Sequence, residues 1–321
     1  MTTVPAEKWG GRFRQGCQFL YCLLVPGFLF FSLVLAGEVP IQVYVPPTPA
    51  AIPLFLAADR MKNLKVTVFA SHSQAHALFL RGDIPLLVTG LSVGIRFFEN
   101  GIPVQIINSY VSGMTCLVTR GRKVNNFREL VGEEILLPFA GSPIEEITRF
   151  FISREGLDWQ RDFKIVYSPP ASSLALLKQG RVQAVVLPQP LVAVAAADDP
   201  VFISIDYRTR WNQLTKSRDG YPQVGTLVKR EWARQHPEVM ARLNIEIARA
   251  VLALKRDSGL AFSRVVSGFG LPEKILSASL AGTAFDFRKS RELKQDVEHY
   301  YQMVGKPLNG TYQAFFYFDP Q

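Results

Sequence analysis

The sequence predicts an α/β protein made of two lobes, and three observations support this prediction. Residues 77–90 begin as an apolar helical stretch, stop at Gly82 and continue as a short run rich in Val, Leu and Ile. Residues 175–188 repeat the pattern, with Gly180 where the helix ends. Glycine tolerates the left-handed conformation that ends a helix, and a basic residue in each last turn suits the helix dipole. The 321 residues, 48% of them hydrophobic, are enough for two ordinary α/β domains. A crossover unit used twice therefore predicts two α/β lobes that face each other across a cleft.

The first 36 residues have the pattern of an export signal. Lys8, Arg12 and Arg14 precede residues 19–36, a run without any charge that ends in Val-Leu-Ala, with small residues at the positions that a signal peptidase reads. The run is about as long as a short membrane-spanning helix, so a retained anchor is the alternative. We expect a cleaved signal and a periplasmic protein.

Charge and cysteine content exclude several classes of function. Removal of residues 1–36 lowers the formal net charge from +9 to +7, and the remaining basic residues are spread along the chain. No run of Lys and Arg is interleaved with aromatic residues, so nucleic-acid binding is not expected. Cys116 would be the single remaining cysteine, which leaves neither an intramolecular disulfide nor a cysteine metal cluster.

Strands and helices alternate in the first predicted lobe. A strand at residues 41–45 stops at Pro46, because proline cannot pair in a sheet interior. Ser71 supplies helix-capping chemistry for the helix that ends at Gly82. The other elements predicted here are a helix at 51–61, strands at 65–69, 84–88 and 104–108, and a helix closed by Asn100 and Gly101.

The second predicted lobe begins after a β-rich segment, residues 110–119, which Gly113 interrupts and which could cross between lobes. Ser142 and Glu145 form a capping box, with Pro143 in the first helical turn. A strand at 226–229 would return the chain to the first lobe. Further strands are predicted at 134–137, 162–166 and 201–205, and residues 232–256 have the apolar spacing of a helix with a packing face.

These elements predict three parts of the chain. Residues 1–36 form the signal peptide. Residues 38–112 together with 224–321 form lobe 1. Residues 113–223 form lobe 2 and include the crossing segments.

The order of short motifs resembles one family of proteins. The motifs are Leu80-Arg-Gly-Asp-Ile84, Thr89-Gly90, Asn100-Gly-Ile-Pro-Val104, Phe127-Arg-Glu-Leu-Val-Gly132, Gly141-Ser-Pro143, Leu177-Lys-Gln-Gly180 and Pro188-Gln-Pro190. Together they are similar to the nitrate/sulfonate/taurine and thiamine-pyrimidine-precursor binding proteins of ABC importers, over nearly all of the chain after the signal. The resemblance implies two doubly wound lobes joined by two crossings, the type II periplasmic binding-protein architecture, with the ligand in the cleft.

The same resemblance implies a function. It describes a monomeric, periplasmic, solute-binding component of an ABC-type importer, which closes by a hinge around a small molecule and delivers it to a permease in the inner membrane. No enzyme activity and no cofactor are expected. The family often has Asp three residues after each helix-ending glycine, whereas this chain has Pro85 and Gln183. Whatever those carboxylates do elsewhere, this protein functions without them.

Candidate ligand contacts come from loops at the carboxyl ends of strands, where open α/β sheets bind ligands. The predicted ligand-binding residues are Thr48, Ser71, Thr89, Gly90, Thr115, Gly141, Ser142, Gln189 and Tyr221. Each polar residue also has a structural interpretation. Thr48 could shape a turn, Ser71 and Ser142 could cap helices, and Gln189 could face solvent.

None of these candidate loops contains Lys or Arg, and Glu145 and Glu146 oppose an anion at the clearest helix start. The loops therefore favour a small organic solute over a bare anion, for example a sulfonate, a pyrimidine-like compound or a small carboxylate. A further group between the lobes could either close on a ligand or pack the inter-lobe surface: Tyr207, Arg208, Arg210, Trp211 and Tyr221.

Two other classes of function are alternatives to an importer component. An exported sensor domain would bind and close in the same way, and neighbouring genes for a kinase, in place of a permease and an ATPase, would favour it. A pyrimidine-synthesising enzyme on the same scaffold is less favoured, because the cysteine-rich segment of those enzymes has no counterpart here. His72 and His76 have i, i+4 spacing, but helix capping explains the local sequence without a metal. No catalytic residue and no metal ligand are predicted.

Overall fold

The computed structural model describes residues 40–257 and 270–319. The predicted signal peptide, residues 1–36, lies outside the described residues. All of the described residues belong to one compact unit, Val39–Gln321. Within the described part, no helix combines the length and the apolar character needed to cross a membrane.

Two mixed β-sheets form the centre of the described chain. The strands are β1 (Ile41–Val45), β2 (Leu64–Val68), β3 (Leu86–Gly90), β4 (Val104–Gly113), β5 (Thr115–Arg120), β6 (Glu134–Leu137), β7 (Lys164–Tyr167), β8 (Ala184–Pro188), β9 (Val201–Asp206), β10 (Val224–Lys229) and β11 (Ala284–Arg288). One sheet has the order β11-β4-β10-β3-β1-β2 and the other the order β7-β6-β8-β5-β9. In the first sheet, β1, β2, β3 and β4 run in one direction and β10 and β11 in the opposite one. In the second sheet, β6, β7, β8 and β9 run in one direction and β5 in the opposite one.

Helices cover both sheets. In chain order they are α1 (Ala51–Ala58), α2 (His72–Arg81), α3 (Leu91–Glu99), α4 (Pro143–Arg154), α5 (Pro170–Lys178), α6 (Leu191–Ala195), α7 (Tyr207–Thr215), α8 (Arg230–Gln235), α9 (Pro237–Arg256), α10 (Glu273–Ala281) and α11 (Ser290–Met303). Short 3-10 helices lie at Phe127–Leu130 and Gly310–Phe315. The predicted two-lobed α/β fold is confirmed.

The repeated helix-to-strand pattern has the structure that the sequence predicts. Gly82 ends α2 in the left-handed conformation, with φ of 89°, and its N–H donates to the carbonyl groups of Leu78 and Phe79. Gly180 follows α5 with φ of 70°. Strands β3 and β8 come next, and both are buried along most of their length. Each copy of the pattern therefore contains a buried strand, and the carboxyl ends of these two strands, β3 and β8, face the same region of the molecule.

Two glycines let the segments between the sheets pack closely. Strand β4 passes through Met114 directly into β5, and residues 216–223 lead from α7 back to β10. At Gly220, where φ is 77°, an added Cβ would lie 2.0 Å from the carbonyl oxygen of Ser112. At Gly113 it would lie 2.7 Å from Cβ of Arg208. At Gly220 the two connections therefore run side by side at a distance that only glycine allows, and at Gly113 the first connection packs against α7. The lobe boundaries given from the sequence stay a prediction.

The predicted helix over residues 232–256 is wrong at one point. The structure has two helices, α8 and α9, which meet at His236. His236 has φ of −132° and ψ of 50°, outside the helical region, and Pro237 occupies the first turn of α9. Proline disfavours helical geometry at the residue before it, so the apolar spacing continues across a break in the helix.

Candidate functional site

A cavity of about 70 Å³ lies where loops of the two sheets meet. Its polar lining consists of Thr48, His72, Thr89, Ser142 and Gln223. The rest is formed by Gly90, by the prolines at positions 46, 138, 143, 170 and 188, and by Met114, Phe139, Ile144 and Val224. Among the described residues, this lining contains no Lys, Arg, Asp or Glu.

Strand ends and helix starts position the lining. Strand β3 carries Thr89 and Gly90 to the start of α3, where the N–H of Leu91 donates to the carbonyl oxygen of Gln223. On the other side, Ser142 caps α4, because its Oγ accepts the N–H of Glu145 at 3.1 Å. The Glu145 carboxylate accepts the N–H of Gly141, which completes the local network. The Ser142 half of the predicted capping box is thus present at the edge of the cavity, whereas the Glu145 carboxylate bonds to Gly141 and not to the N–H of Ser142.

The two sheets' helices touch beside the cavity. A Cβ added to Gly90 would lie 2.1 Å from Cγ of Pro143, so the start of α3 is pressed against the first turn of α4. Ser92 Oγ donates to the carbonyl oxygen of Gly141 at 3.2 Å, and the Arg96 guanidinium donates to that of Ala140 at 3.4 Å. These contacts close one wall of the cavity.

Four of the nine predicted ligand-binding residues line this cavity: Thr48, Thr89, Gly90 and Ser142. Ser142 also caps α4, so the structural and the ligand-binding interpretations coexist at that position. Thr48 Oγ1 is buried and makes no hydrogen bond with any residue that the structure describes. The structure therefore brings together residues from three separate loops of the chain, as the strand-end positions predict.

The other five predicted residues lie elsewhere in the same region. Ser71 caps α2, and its Oγ accepts the N–H of Gln74. Thr115 Oγ1 accepts Gln223 Nε2 at 2.7 Å, and Gln189 Oε1 accepts the N–H of Ala193 at 3.3 Å. The N–H of Gly141 donates to the Glu145 carboxylate. The Tyr221 ring packs between those of Trp211 and Tyr300, with centroid distances of 5.5 and 5.9 Å. None of the five is part of the cavity lining, and their roles in binding stay predictions.

The aromatic residues between the lobes pack the interior. Tyr207, Trp211 and Tyr221 are at most 2% exposed. Trp211 contacts Phe150 of α4 and Tyr300 of α11, with centroid distances of 5.3 Å in both cases. The observed contacts of these three aromatic residues therefore agree with the interpretation that they pack the surface between the lobes.

Sequence reasoning missed Gln223 as a site residue and considered His72 only as a metal ligand. Gln223 is 3% exposed, its Oε1 accepts the N–H of Met114 at 3.1 Å, and its Nε2 donates to Thr115. It joins the two segments that connect the sheets, at the edge of the cavity. Its only sequence signal was a position just before a predicted strand. His72 follows the capping Ser71 directly, and that adjacency was the signal that could have placed it at a strand end.

The two histidines form the wall behind Thr89. The rings of His72 and His76 are 5.8 Å apart, His76 Nε2 lies 3.4 Å from Thr89 Oγ1, and the His72 ring is 5.4 Å from that of Phe139. Burial lowers the pKa of His72, and burial followed by the charges of His72 and Arg96 lowers the pKa of His76 to about 4. Both imidazoles are neutral near pH 7. Among the described residues, no group of three or more His, Cys, Asp and Glu side chains is arranged to hold a metal ion.

The folded protein is expected to lose stability as the pH falls from 6.5 towards 4. The unfolded chain binds a proton at His76 in this range, whereas the folded chain, with a pKa of about 4, does not. The stability contributed by neutral His76 is complete above pH 6.5 and declines below it. Thermal melts between pH 4 and pH 8 measure this slope, and His76→Gln should make it shallower. The partly exposed His236, changed to Gln, serves as the control, and an equal flattening by that variant would contradict the assignment.

The described fold is that of periplasmic solute-binding proteins, as three solved structures show. The periplasmic aliphatic sulphonate binding protein SsuA from Escherichia coli has a TM-score of 0.70 and 15% identity, covering 88% of this chain and 93% of that one. The alkanesulfonate-binding protein SsuA from Xanthomonas axonopodis pv. citri, bound to MOPS, has a TM-score of 0.68 and 17% identity, with coverages of 85% and 96%. The periplasmic nitrate-binding protein NrtA from Synechocystis PCC 6803 has a TM-score of 0.64 and 14% identity, with coverages of 80% and 75%.

This chain belongs to the NMT1-like family, whose sequence profile matches residues 55–261. No curated protein sequence matches it. The family membership and the shared fold confirm the resemblance that the motifs indicate. All three solved relatives are named as binding proteins.

Proposed function

We propose that this protein is the extracytoplasmic solute-binding component of an ABC-type importer. The observation that carries the proposal is a small cavity between two lobes, lined by strand-end residues of both and closed by direct helix contact. The solved relatives are named as sulfonate-binding and nitrate-binding proteins, which supports solute capture and delivery to a membrane permease. The solute we propose is small and organic: a sulfonate, a pyrimidine-like compound or a small carboxylate.

Binding proceeds by hinge closure in this proposal. The solute first contacts one lobe through residues such as Thr48 and Thr89, and contacts with Ser142 of the other lobe then stabilise the closed form. The two connections at Met114 and residues 216–223 act as the hinge. We also propose the lobe division at residues 112/113 and 223/224, a cleaved N-terminal signal, a periplasmic location and a monomeric state.

Two measurements test the proposal. Native mass spectrometry of protein purified without refolding should detect a bound small molecule. X-ray scattering should then show a smaller radius of gyration when that molecule is present than after it has been removed. An unchanged radius of gyration with a confirmed ligand would argue against hinge closure.

The double substitution Thr89→Ala with Ser142→Ala is expected to weaken binding of the copurified solute by about 100-fold. Each hydroxyl removed costs a hydrogen bond of about 1–1.5 kcal/mol, and tenfold in affinity corresponds to about 1.4 kcal/mol. Isothermal titration measures the affinity. The matched control, Thr67→Ala with Thr209→Ala, changes one exposed residue in each lobe. Unchanged affinity in the Thr89/Ser142 variant would remove these residues from the binding site.

A further inference from the structure

We infer that the solute carries no net charge on the part that enters the cavity, with Thr48 and His72 as its polar anchors. This inference rests on the proposed function and narrows its solute class. It separates this chain from relatives that are named for the anions sulfonate and nitrate.

The side chains of the cavity offer no charge to pair with an ion. Its polar members are two threonines, a serine, a glutamine and a histidine. The histidine is neutral near pH 7, because burial lowers its pKa. Burying an ion without a partner costs far more than burying a neutral polar group that finds hydrogen bonds. The lining therefore selects against both anions and cations.

Helix starts could still favour an anion, because the N-termini of α3 and α4 meet at the cavity. Three positions at these helix starts, however, offer no free donor. The N–H of Leu91 donates to Gln223, the N–H of Glu145 donates to Ser142, and Pro143 has no N–H to offer. Glu145 and Glu146 in the first turn of α4 place negative charge at that end of the helix. An incoming anion would be repelled by that charge at the start of α4.

The arginine on this face of α3 does not supply the missing cation. Arg96 donates to the carbonyl oxygen of Ala140 and lines a separate cavity of about 480 Å³, together with Glu99, Glu145 and Glu146. The loop that carries Gly141 and Ser142 contributes to both cavities, Gly141 to the larger and Ser142 to the smaller. The positive charge of Arg96 thus lies at the larger cavity, on the other side of this loop.

Two polar atoms of the lining lack a partner within the protein. Thr48 Oγ1 and His72 Nδ1 are both buried and form no hydrogen bond with the described residues. Buried polar groups are almost always paired, so an unpaired atom at a cavity wall indicates a contact that a ligand completes. A hydroxyl and a neutral imidazole pair well with a carboxamide, a carbonyl, a hydroxyl or a ring nitrogen. The flat rings of His72 and Phe139 add an apolar surface beside them.

Matched neutral and anionic probes test the charge assignment. The probes are acetamide with acetate, methanesulfonamide with methanesulfonate, and nicotinamide with nicotinate, all at pH 7.5. Thermal shift followed by isothermal titration should show at least one neutral member that binds 10-fold or more tightly than its anionic partner. An anion that binds more tightly than its neutral partner overturns the inference and leaves the proposed function standing. If none of the six binds, the inference is overturned, and the lack of any copurified solute would then count separately against the proposed function.

Variants at position 72 test the anchor with the neutral probe that binds most tightly. His72→Phe keeps the ring beside Phe139 but removes Nδ1, and should lower the affinity 10-fold or more. His72→Asn places an amide atom near the position of Nδ1 and should restore most of the affinity. His236→Phe, outside the lining, should leave the affinity unchanged. Melting temperatures without probe report folding of each variant. Equal affinity in wild type and His72→Phe, or equal losses in His72→Phe and His72→Asn, would overturn the anchor role.

Discussion

The substitution Gly90→Ala is expected to reduce solute affinity by about 10-fold or more, a loss of ~1.4 kcal/mol. The backbone at Gly90, with φ of −69° and ψ of 145°, accepts alanine without strain. The new methyl group would instead lie 2.1 Å from Cγ of Pro143 and push the start of α3 away from α4. Because this contact closes one wall of the cavity, its loss favours the open form. Isothermal titration with the copurified solute measures the affinity, and X-ray scattering measures the opening.

A compensating substitution separates this steric effect from any other. Pro143→Ala removes the ring atoms that the alanine methyl group would meet, and alanine is well tolerated in a first helical turn. The double variant Gly90→Ala with Pro143→Ala should therefore recover most of the lost affinity, since neighbouring substitutions that share one contact are not additive. If the double variant binds as weakly as Gly90→Ala alone, the contact between the lobes is not the cause.

The substitution Trp211→Ala is expected to lower the free energy of unfolding by about 3–5 kcal/mol, as for other large aromatic side chains removed from a core. Trp211 is 1% exposed and contacts rings from three segments, at Phe150, Tyr221 and Tyr300. Because these segments cannot fully collapse into the space left behind, a cavity would remain. Chemical denaturation with urea measures the change.

Tyr221→Phe is the matched control in the same cluster. Its hydroxyl is buried without a hydrogen-bond partner among the described residues, so its removal should change the free energy of unfolding by no more than about 0.5 kcal/mol. Solute affinity should also stay unchanged if Tyr221 only packs. A clear loss of affinity in Tyr221→Phe would return this residue to the binding site that the sequence predicts.

Local chemistry made most of the fold predictable. Gly82 and Gly180 mark helix ends because they adopt the left-handed conformation that other residues avoid. Ser142 marks the start of α4, because its hydroxyl accepts the N–H of Glu145, three residues further along the chain. The break at His236 escaped prediction, because the apolar spacing of α8 and α9 continues across it.

The candidate site was predictable only in part. Thr48, Thr89, Gly90 and Ser142 follow strands or precede helices, and strand-end position alone identifies them. Gln223 has no comparable signal, since its importance depends on which distant groups lie beside it. His72 has one in its position directly after the capping Ser71, but that position does not show which atoms of the ring are paired. Thr115 and Gln189 occupy the predicted strand ends, yet their side chains bond to Gln223 and Ala193 inside the protein.

The sequence by itself determined the two-lobed α/β class, the repeated crossover unit and the loops from which a site could form. These depend on turn chemistry and hydrophobic patterns within about 15 residues, which act regardless of the rest of the chain. Only the tertiary structure decided which polar atoms are paired within the protein and which remain unpaired at the cavity. Thr48 and His72 each keep an unpaired polar atom, whereas the side chains of Thr115 and Gln189 are hydrogen-bonded. Pairing depends on contacts between segments far apart in sequence, such as Gln223 with Thr115, which no local pattern encodes.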